Sequence, residues 1–232
     1  MMDLVTGGKQ DATFCASYYI SFFLQRGYIC DKCIRMKSNR WDDHYTVQAR
    51  KEKWLARSVY KLQEIDEKFK LIHKGDRLLD LGCFPGSWSQ YAIGKVGRQG
   101  DVVGIDLHAP KAFNPPNFRC IAADIETIEP EWLAAEIGAR NLVLSDLAPP
   151  TTGIRATDAT RSMFLAEKAA RIAGVLLNNG GHFVCKIFEG EDLKTFKSNL
   201  SPVFQQIRLF RPKATRKRSR EVYLVGTGFI AK

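Results

Sequence analysis

What the 232-residue chain lacks narrows its class before any motif is read. It has no internal repeat and no low-complexity tract, so neither a solenoid nor a repetitive fibre is expected. It has no apolar run of membrane-spanning length. The nearest candidate, FCASYYISFFLQR at residues 14–26, is too short for a bilayer, which takes about 20 residues of helix. With no clear basic leader and no small-residue cleavage site, that stretch does not read as a signal peptide either. Cysteine occurs six times without forming a framework. Cys30 and Cys33 make one CxxC, and no second pair stands at zinc-site spacing, so no metal is expected. Cys83, Cys120 and Cys185 sit inside apolar stretches as small core residues, a usage that suits a reducing, cytoplasmic setting. Acidic residues are the last shortage: 25 Asp and Glu against 35 Lys and Arg leave a net charge of +10. A surplus of that size points to a polyanionic partner, nucleic acid foremost.

What is present is the pattern of one α/β domain. A hydrophobic share of 45% with 26% charged residues is ordinary for a soluble globular protein, and the length allows one sizeable domain plus an appendage. Residues 1–35 are read as that appendage, a dispensable extension from an upstream start codon, and residues 36–232 as the domain. Leu55, Val59, Leu62, Ile65 and Phe69 recur at steps of three and four, so the spacing predicts one helix over 50–69. Arg50, Lys53, Arg57 and Lys61 form a second stripe, either a solvated face or a phosphate-facing one. Strands are predicted at 76–81, 101–106, 118–122, 141–146, 181–188, 203–210 and 221–229. Helices fit 87–97, 130–138, 157–178 and 189–199, the third of them stopped by Asn179-Gly180-Gly181. Such alternation implies a mostly parallel sheet with helices on both faces. Its ligands belong beyond the carboxyl ends of the strands.

The stretch LLDLGCFPGSWSQY (78–91) runs from strand through a tight turn into a helix. Gly82 and Gly86 allow the sharp turn and a close backbone approach to a ligand. A dinucleotide fingerprint would carry a further glycine between them; Phe84 stands there, with Pro85 after it, and obstructs a pyrophosphate. Two later strands end on acids, DVVGID on Asp106 and FRCIAAD on Asp124. Each acid either caps a helix or lines a ligand site, Asp106 at the right distance for ribose hydroxyls. Acids without a phosphate cradle suit a nucleoside that carries positive charge. S-adenosylmethionine, a sulfonium, is such a ligand and NAD is not.

LVLSDLAPPTTG (142–153) places Asp146 at the mouth of a strand. Farther on, GGHFVCKIF buries Lys186 among apolar neighbours, where an unpaired ammonium is costly and requires a carboxylate or a task. Glu221 opens the last strand in SREVYLVG. A structural Lys186–Glu221 ion pair is one reading, a chemical site the other, and Lys61 is placed to reach the same edge.

These residues carry a resemblance. From about residue 38 onward the chain resembles the FtsJ/RrmJ-type large-subunit ribosomal RNA ribose 2′-O-methyltransferases, through RSVYKLQEI, LDLGCFPGSWSQY, LSDLAP, FVCKIF and RSREVYLVGTG in that order. Cys83, Phe84 and Ser87 depart from it, standing where many members carry small residues or glycine. The resemblance implies a Rossmann-like class I S-adenosylmethionine-dependent methyltransferase fold with a seven-stranded sheet. It implies a catalytic tetrad of Lys61, Asp146, Lys186 and Glu221, and cofactor contacts from Gly86, Trp88, Asp106, Asp124 and Asp146. The implied substrate is a uridine ribose in large-subunit rRNA within the 50S-type particle, with the protein a monomer.

The chemistry agrees with those residue types. A ribose 2′-hydroxyl is a poor nucleophile at neutral pH. Ammonium groups beside it favour a developing alkoxide, and a deprotonated lysine takes its proton. The expected acceptor is Lys186, with Asp146 and Lys61 orienting the hydroxyl and Glu221 positioning lysine. RNA phosphates are expected on Arg50, Lys53 and Arg57, and on the cluster RLFRPKATRKRSR (208–220), including Arg216 and Arg218. A disordered basic loop is the other reading of that cluster.

Rivals stand beside this reading. They are methylation of another RNA, a base-directed amino-methyltransferase, a non-catalytic ribosome-assembly factor, and a nicotinamide dehydrogenase. The second would want proline directly after Asp146 and an aromatic where Thr151 stands. The last has no candidate hydride-transfer acid.

Overall fold

The structure, a computed structural model, describes residues 43–110 and 113–231. The predicted extension at 1–35 and the Cys30–Cys33 pair lie outside the described residues. The elements in chain order are α1 (His44–Lys51), α2 (Val59–Phe69), β1 (Arg77–Leu81), α3 (Ser87–Val96), β2 (Asp101–Asp106), β3 (Phe118–Ala122) and α4 (Pro130–Ile137). There follow β4 (Arg140–Ser145), α5 (Arg155–Leu176), β5 (Leu177–Phe188), α6 (Leu193–Leu200), a 3₁₀ turn (Ser201–Val203), β6 (Phe204–Phe210) and β7 (Glu221–Phe229).

The seven strands form one sheet in the order β3-β2-β1-β4-β5-β7-β6. The first five are parallel to one another, and β7 lies antiparallel between β5 and β6. Neighbouring residues of a strand point to opposite faces, and the core divides accordingly. Leu79, Val103, Val143 and Cys185 pack under α4, α5 and α6. Leu78, Val102, Leu142, Val184 and Tyr223 pack under α2 and α3. The expected Rossmann-like sheet with helices on both faces is the observed one, and every predicted strand is present within a few residues of its predicted ends.

The predicted 50–69 helix is corrected. Two helices occupy that region, because α1 ends at Lys51, and Lys53 takes a left-handed conformation (φ 62°). Gln90 of α3 holds the intervening loop open. Its side chain accepts the Leu55 N–H at 3.1 Å and donates to the Lys53 carbonyl at 3.2 Å, replacing the bonds a continuous helix would make. Arg50, Lys53, Arg57 and Lys61 therefore do not share one helical stripe. A smaller correction concerns the 157–178 helix, which starts at Arg155 and stops at Leu176, so the Asn-Gly-Gly segment belongs to β5.

Candidate active site

At the carboxyl ends of β1, β2 and β4 the chain encloses a cavity of about 910 Å³. Gly82 makes the turn after β1 with φ +78°, and a Cβ there would stand 2.8 Å from Leu147, so a residue lacking a side chain lets this turn and the loop after β4 close together. Asp106, Asp124 and Asp146 all line the cavity. The first two also tie their own loops. Asp106 accepts the Phe84 N–H at 3.1 Å and the His108 N–H at 3.0 Å, and Asp124 accepts the Glu126 N–H at 2.9 Å. Neither acid caps a helix, since α4 is preceded by Glu129; each ties its own loop and lines the cavity, with lone pairs beyond those its loop uses.

Asp146 follows the last residue of β4, and its N–H still reaches the Leu81 carbonyl at 3.2 Å, which fixes its place beside β1. Its carboxylate is the hub of a buried group. Lys186 Nζ lies 2.6 Å from the Asp146 carbonyl oxygen and 3.1 Å from its Oδ1. The Tyr223 hydroxyl donates to the same Oδ1 at 2.8 Å. Burial opposes charge on Asp146, but the Lys186 and Lys61 ammonium groups and the Tyr223 hydroxyl outweigh it and hold the carboxyl below its usual range. Burial first, and then the Asp146 charge, push the Tyr223 hydroxyl well above its usual value, so it remains a neutral donor.

The second half of the group is Lys61 Nζ against Glu221 Oε1 at 2.6 Å. The register explains why the halves meet. Lys186 is paired with Tyr223 across β5 and β7, Phe188 is paired with Glu221, and α2 brings Lys61 over the same face. Lys61 Nζ stands 5.9 Å from the centre of the Tyr223 ring. All four residues expected as a tetrad are therefore gathered at one place. The Lys186–Glu221 ion pair that stood as one reading of the sequence is not formed: Glu221 holds Lys61, and Lys186 is held by Asp146.

Gly86 and Trp88 are placed differently from the three acids. Neither is among the cavity's lining residues. Gly86 (φ 111°) starts α3 where a Cβ would meet Leu55 at 3.0 Å. Trp88 is 3% exposed, packs on Tyr223 with ring centres 5.8 Å apart, and donates from its indole to the Ser58 carbonyl at 2.8 Å. Its side chain thus braces Tyr223 and the start of α2; what it can offer a ligand is main chain in the first turn of α3.

Below the turn, Asp80 is fully buried. One of its oxygens accepts the Ser89 hydroxyl at 2.7 Å and the other has no partner among the described residues. Burial is the main reason its carboxyl is pushed up to about 7, with Asp146 and Asp106 adding to it.

A second cavity, of about 400 Å³, opens at the Lys61–Glu221 pair. Arg57, Arg216, Arg218, Ser58 and Ser219 line it together with that pair. Arg57 is held by the Ala214 carbonyl and by Asp43, and Arg216 Nε lies 3.5 Å from the same Asp43. Of the residues expected to meet RNA, these three arginines are gathered here, while Arg50, at the end of α1, and Lys53, just beyond it, are not among the lining residues. Among the described residues no group of three or more His, Cys, Asp or Glu is placed to hold a metal ion.

Sequence reasoning missed Tyr223. The signal was available, because Tyr223 stands two residues after Glu221 in a strand and so shares its face, as a polar-tipped aromatic in an otherwise apolar run.

Fold and site together define an S-adenosylmethionine-dependent methyltransferase of the Rossmann-like class. The model of the FtsJ-like methyltransferase family matches residues 54–229, and the chain belongs to that family. It is 45% identical over 190 residues to Ribosomal RNA large subunit methyltransferase E of Desulfosudis oleivorans, covering 82% of this chain and 92% of that protein. It is 41% identical over 200 residues to the protein of the same name from Methanothermobacter thermautotrophicus, covering 85% and 95%. Among solved structures it is similar to one described as a ribosomal RNA methyltransferase from Plasmodium falciparum (TM-score 0.68, 27% identity, 77% of this chain and all of that one). The fold is shared with Aeropyrum pernix fibrillarin carrying S-adenosyl-L-methionine (TM-score 0.52, 16% identity, 73% and 76%). The cavity fits that cofactor in kind: four carboxylates (Asp106, Asp124, Glu126 and Asp146) against one guanidinium (Arg161) in a mainly apolar lining suit a cationic nucleoside better than a dinucleotide.

Proposed function

We propose that the protein transfers a methyl group from S-adenosylmethionine to the ribose 2′-hydroxyl of a uridine in large-subunit ribosomal RNA. It acts on the 50S-type subunit as a cytoplasmic monomer, with residues 36–232 as the methyltransferase domain and residues 1–35 dispensable. Among the described residues no helix is long and apolar enough to cross a membrane. The observation that carries the reading is one group of charged side chains that reaches both cavities. Asp146 lines the larger cavity, Lys61 and Glu221 line the smaller, and Lys186 is bonded to Asp146.

Gly86 and Trp88 through their main chain, and Asp106, Asp124 and Asp146 through their carboxylates, are the residues that would hold the cofactor. S-adenosylmethionine supplies an electrophilic methyl carbon on a sulfonium sulfur. The chain's own task is to present the 2′-oxygen and to take its proton. Lys186 acts after its ammonium has released a proton to solvent; the amine so formed has two N–H bonds and one lone pair. Its two contacts to Asp146 use both N–H bonds, which leaves the lone pair for the hydroxyl proton. The proton ends on Lys186 Nζ, where the Asp146 carboxylate stabilises the ammonium. Lys61, fixed by Glu221, donates to the same ribose oxygen as its negative charge develops. Tyr223 holds Asp146 in position through the same Oδ1 that Lys186 contacts.

Transfer of labelled methyl to large subunits from a strain lacking this gene, followed by digestion to nucleosides, tests the reading. One 2′-O-methyluridine is expected. Methyl on a base, or none on ribosomal RNA, would overturn it.

A further inference from the structure

The smaller cavity has a charge pattern that the reaction just described does not require. Around it stand Arg57, Arg216, Arg218 and Lys61. Against these four cations there are two carboxylates, Glu221, which is engaged by Lys61, and Asp43, which is shared by Arg57 and Arg216. The Arg57 guanidinium is held below its ordinary pKa by burial and then by the neighbouring Arg216. An anion entering the cavity would relieve that repulsion. Guanidinium forks match the paired oxygens of a phosphate, and the Ser58 and Ser219 hydroxyls on the wall add neutral donors.

Position then selects among phosphates. The cavity shares its Lys61–Glu221 wall with the proposed catalytic group, so whatever fills it lies next to the ribose oxygen being methylated. On a ribonucleotide the charged group nearest the 2′-oxygen is the phosphodiester on the adjacent 3′-oxygen; the 5′-phosphate leaves from the far side of the sugar. We infer that Arg57, Arg216 and Arg218 bind the 3′-phosphodiester of the nucleotide under reaction and set the rotation of its ribose. The inference rests on ribose methylation as the function. It makes the three arginines positioning residues and restricts the substrate to an internal nucleotide, because a free nucleoside or a 3′-terminal ribose lacks the anchoring group.

The test uses the full chain saturated with S-adenosylhomocysteine, titrated calorimetrically with uridine 3′-monophosphate, uridine 5′-monophosphate and uridine. Arg57 is tied into the fold through Ala214 and Asp43, so the variants are Arg216→Gln and Arg218→Gln. Arg216 is 70% exposed at its side chain. The 3′-phosphate is expected to bind roughly tenfold or more tightly than either alternative, and each variant is expected to reduce that preference with S-adenosylhomocysteine affinity unchanged. A purely structural role for the arginines would not alter a preference between phosphate positions. Equal or tighter binding of the 5′-phosphate, no binding of the 3′-phosphate, or a preference that survives in both variants overturns the inference. Failure of the functional reading shows elsewhere, in the methyl mapping: ribose methylation without a 3′-phosphate preference sinks the pocket assignment alone.

Discussion

Tyr223 and Asp146 are 77 positions apart in the chain and 2.8 Å apart in the fold, hydroxyl to carboxylate, in a site where Lys186 approaches the same oxygen from across the β5–β7 pair. The carboxylate that anchors the expected proton acceptor is therefore held by two side chains. Tyr223→Phe keeps the ring packed on Trp88 and deletes one hydrogen bond to a charged group, worth about 1.5–3 kcal/mol. Methyl transfer by this variant is expected to fall roughly ten- to a hundredfold in kcat, with the melting temperature changed by only a few degrees; steady-state kinetics beside a thermal melt check it.

Lys61 and Glu221 act through each other. Glu221→Gln keeps the shape of the pair and removes the charge that fixes the Lys61 ammonium. Methyl transfer is expected to drop at least tenfold, while the affinity for S-adenosylmethionine, measured calorimetrically, stays within about threefold. An equal loss in both would place Glu221 in the cofactor site instead.

Asp80 makes stability depend on pH. Its folded value of about 7 lies above the unfolded carboxylate value, so the folded state binds the proton more tightly. The stability that this proton contributes is complete below the unfolded pKa and is lost as pH rises through about 7, up to about 4 kcal/mol in all. Asp80→Asn, neutral at every pH, is expected to flatten that part of the stability curve. Urea denaturation of both proteins between pH 5 and 8 measures it, and parallel curves would show that Asp80 is not the group responsible.

Salt dependence reports the arginines. Each phosphate contact on single-stranded RNA contributes about 0.7 to the slope of log affinity against log salt, so Arg218→Gln is expected to reduce the slope for large-subunit binding by about that amount. Filter binding across a salt series checks this. A lower affinity at unchanged slope would mean that Arg218 meets no phosphate.

The sheet was legible because each strand's alternation survives in its neighbours' packing: Leu78 and Leu79 go to opposite cores, as do Val102 and Val103. The acids at strand ends were legible for the same reason, since a carboxylate closing an apolar run has nowhere to go but the sheet's edge. The break between α1 and α2 was not legible. It depends on Gln90, 35 residues beyond Leu55, supplying two hydrogen bonds to a loop whose own residues carry an intact helical period. The pairing of the four charges was hidden too. It follows from the β5–β7 register and the placement of α2, and neither can be read from local spacing.

The N-terminal boundary has its own test. A protein beginning at Met36 is expected to retain full methyl transfer and the same melting temperature as the full chain. Loss of either would make residues 1–35 part of the working molecule.

The central claim is that Lys186 takes the ribose proton while held by Asp146. Single-turnover methyl transfer to large subunits by Lys186→Met, with the cofactor prebound, tests it most directly. The account predicts a rate lower by about 10²–10⁴-fold, with the variant folded and the cofactor still bound. A rate near that of the unaltered protein would contradict it.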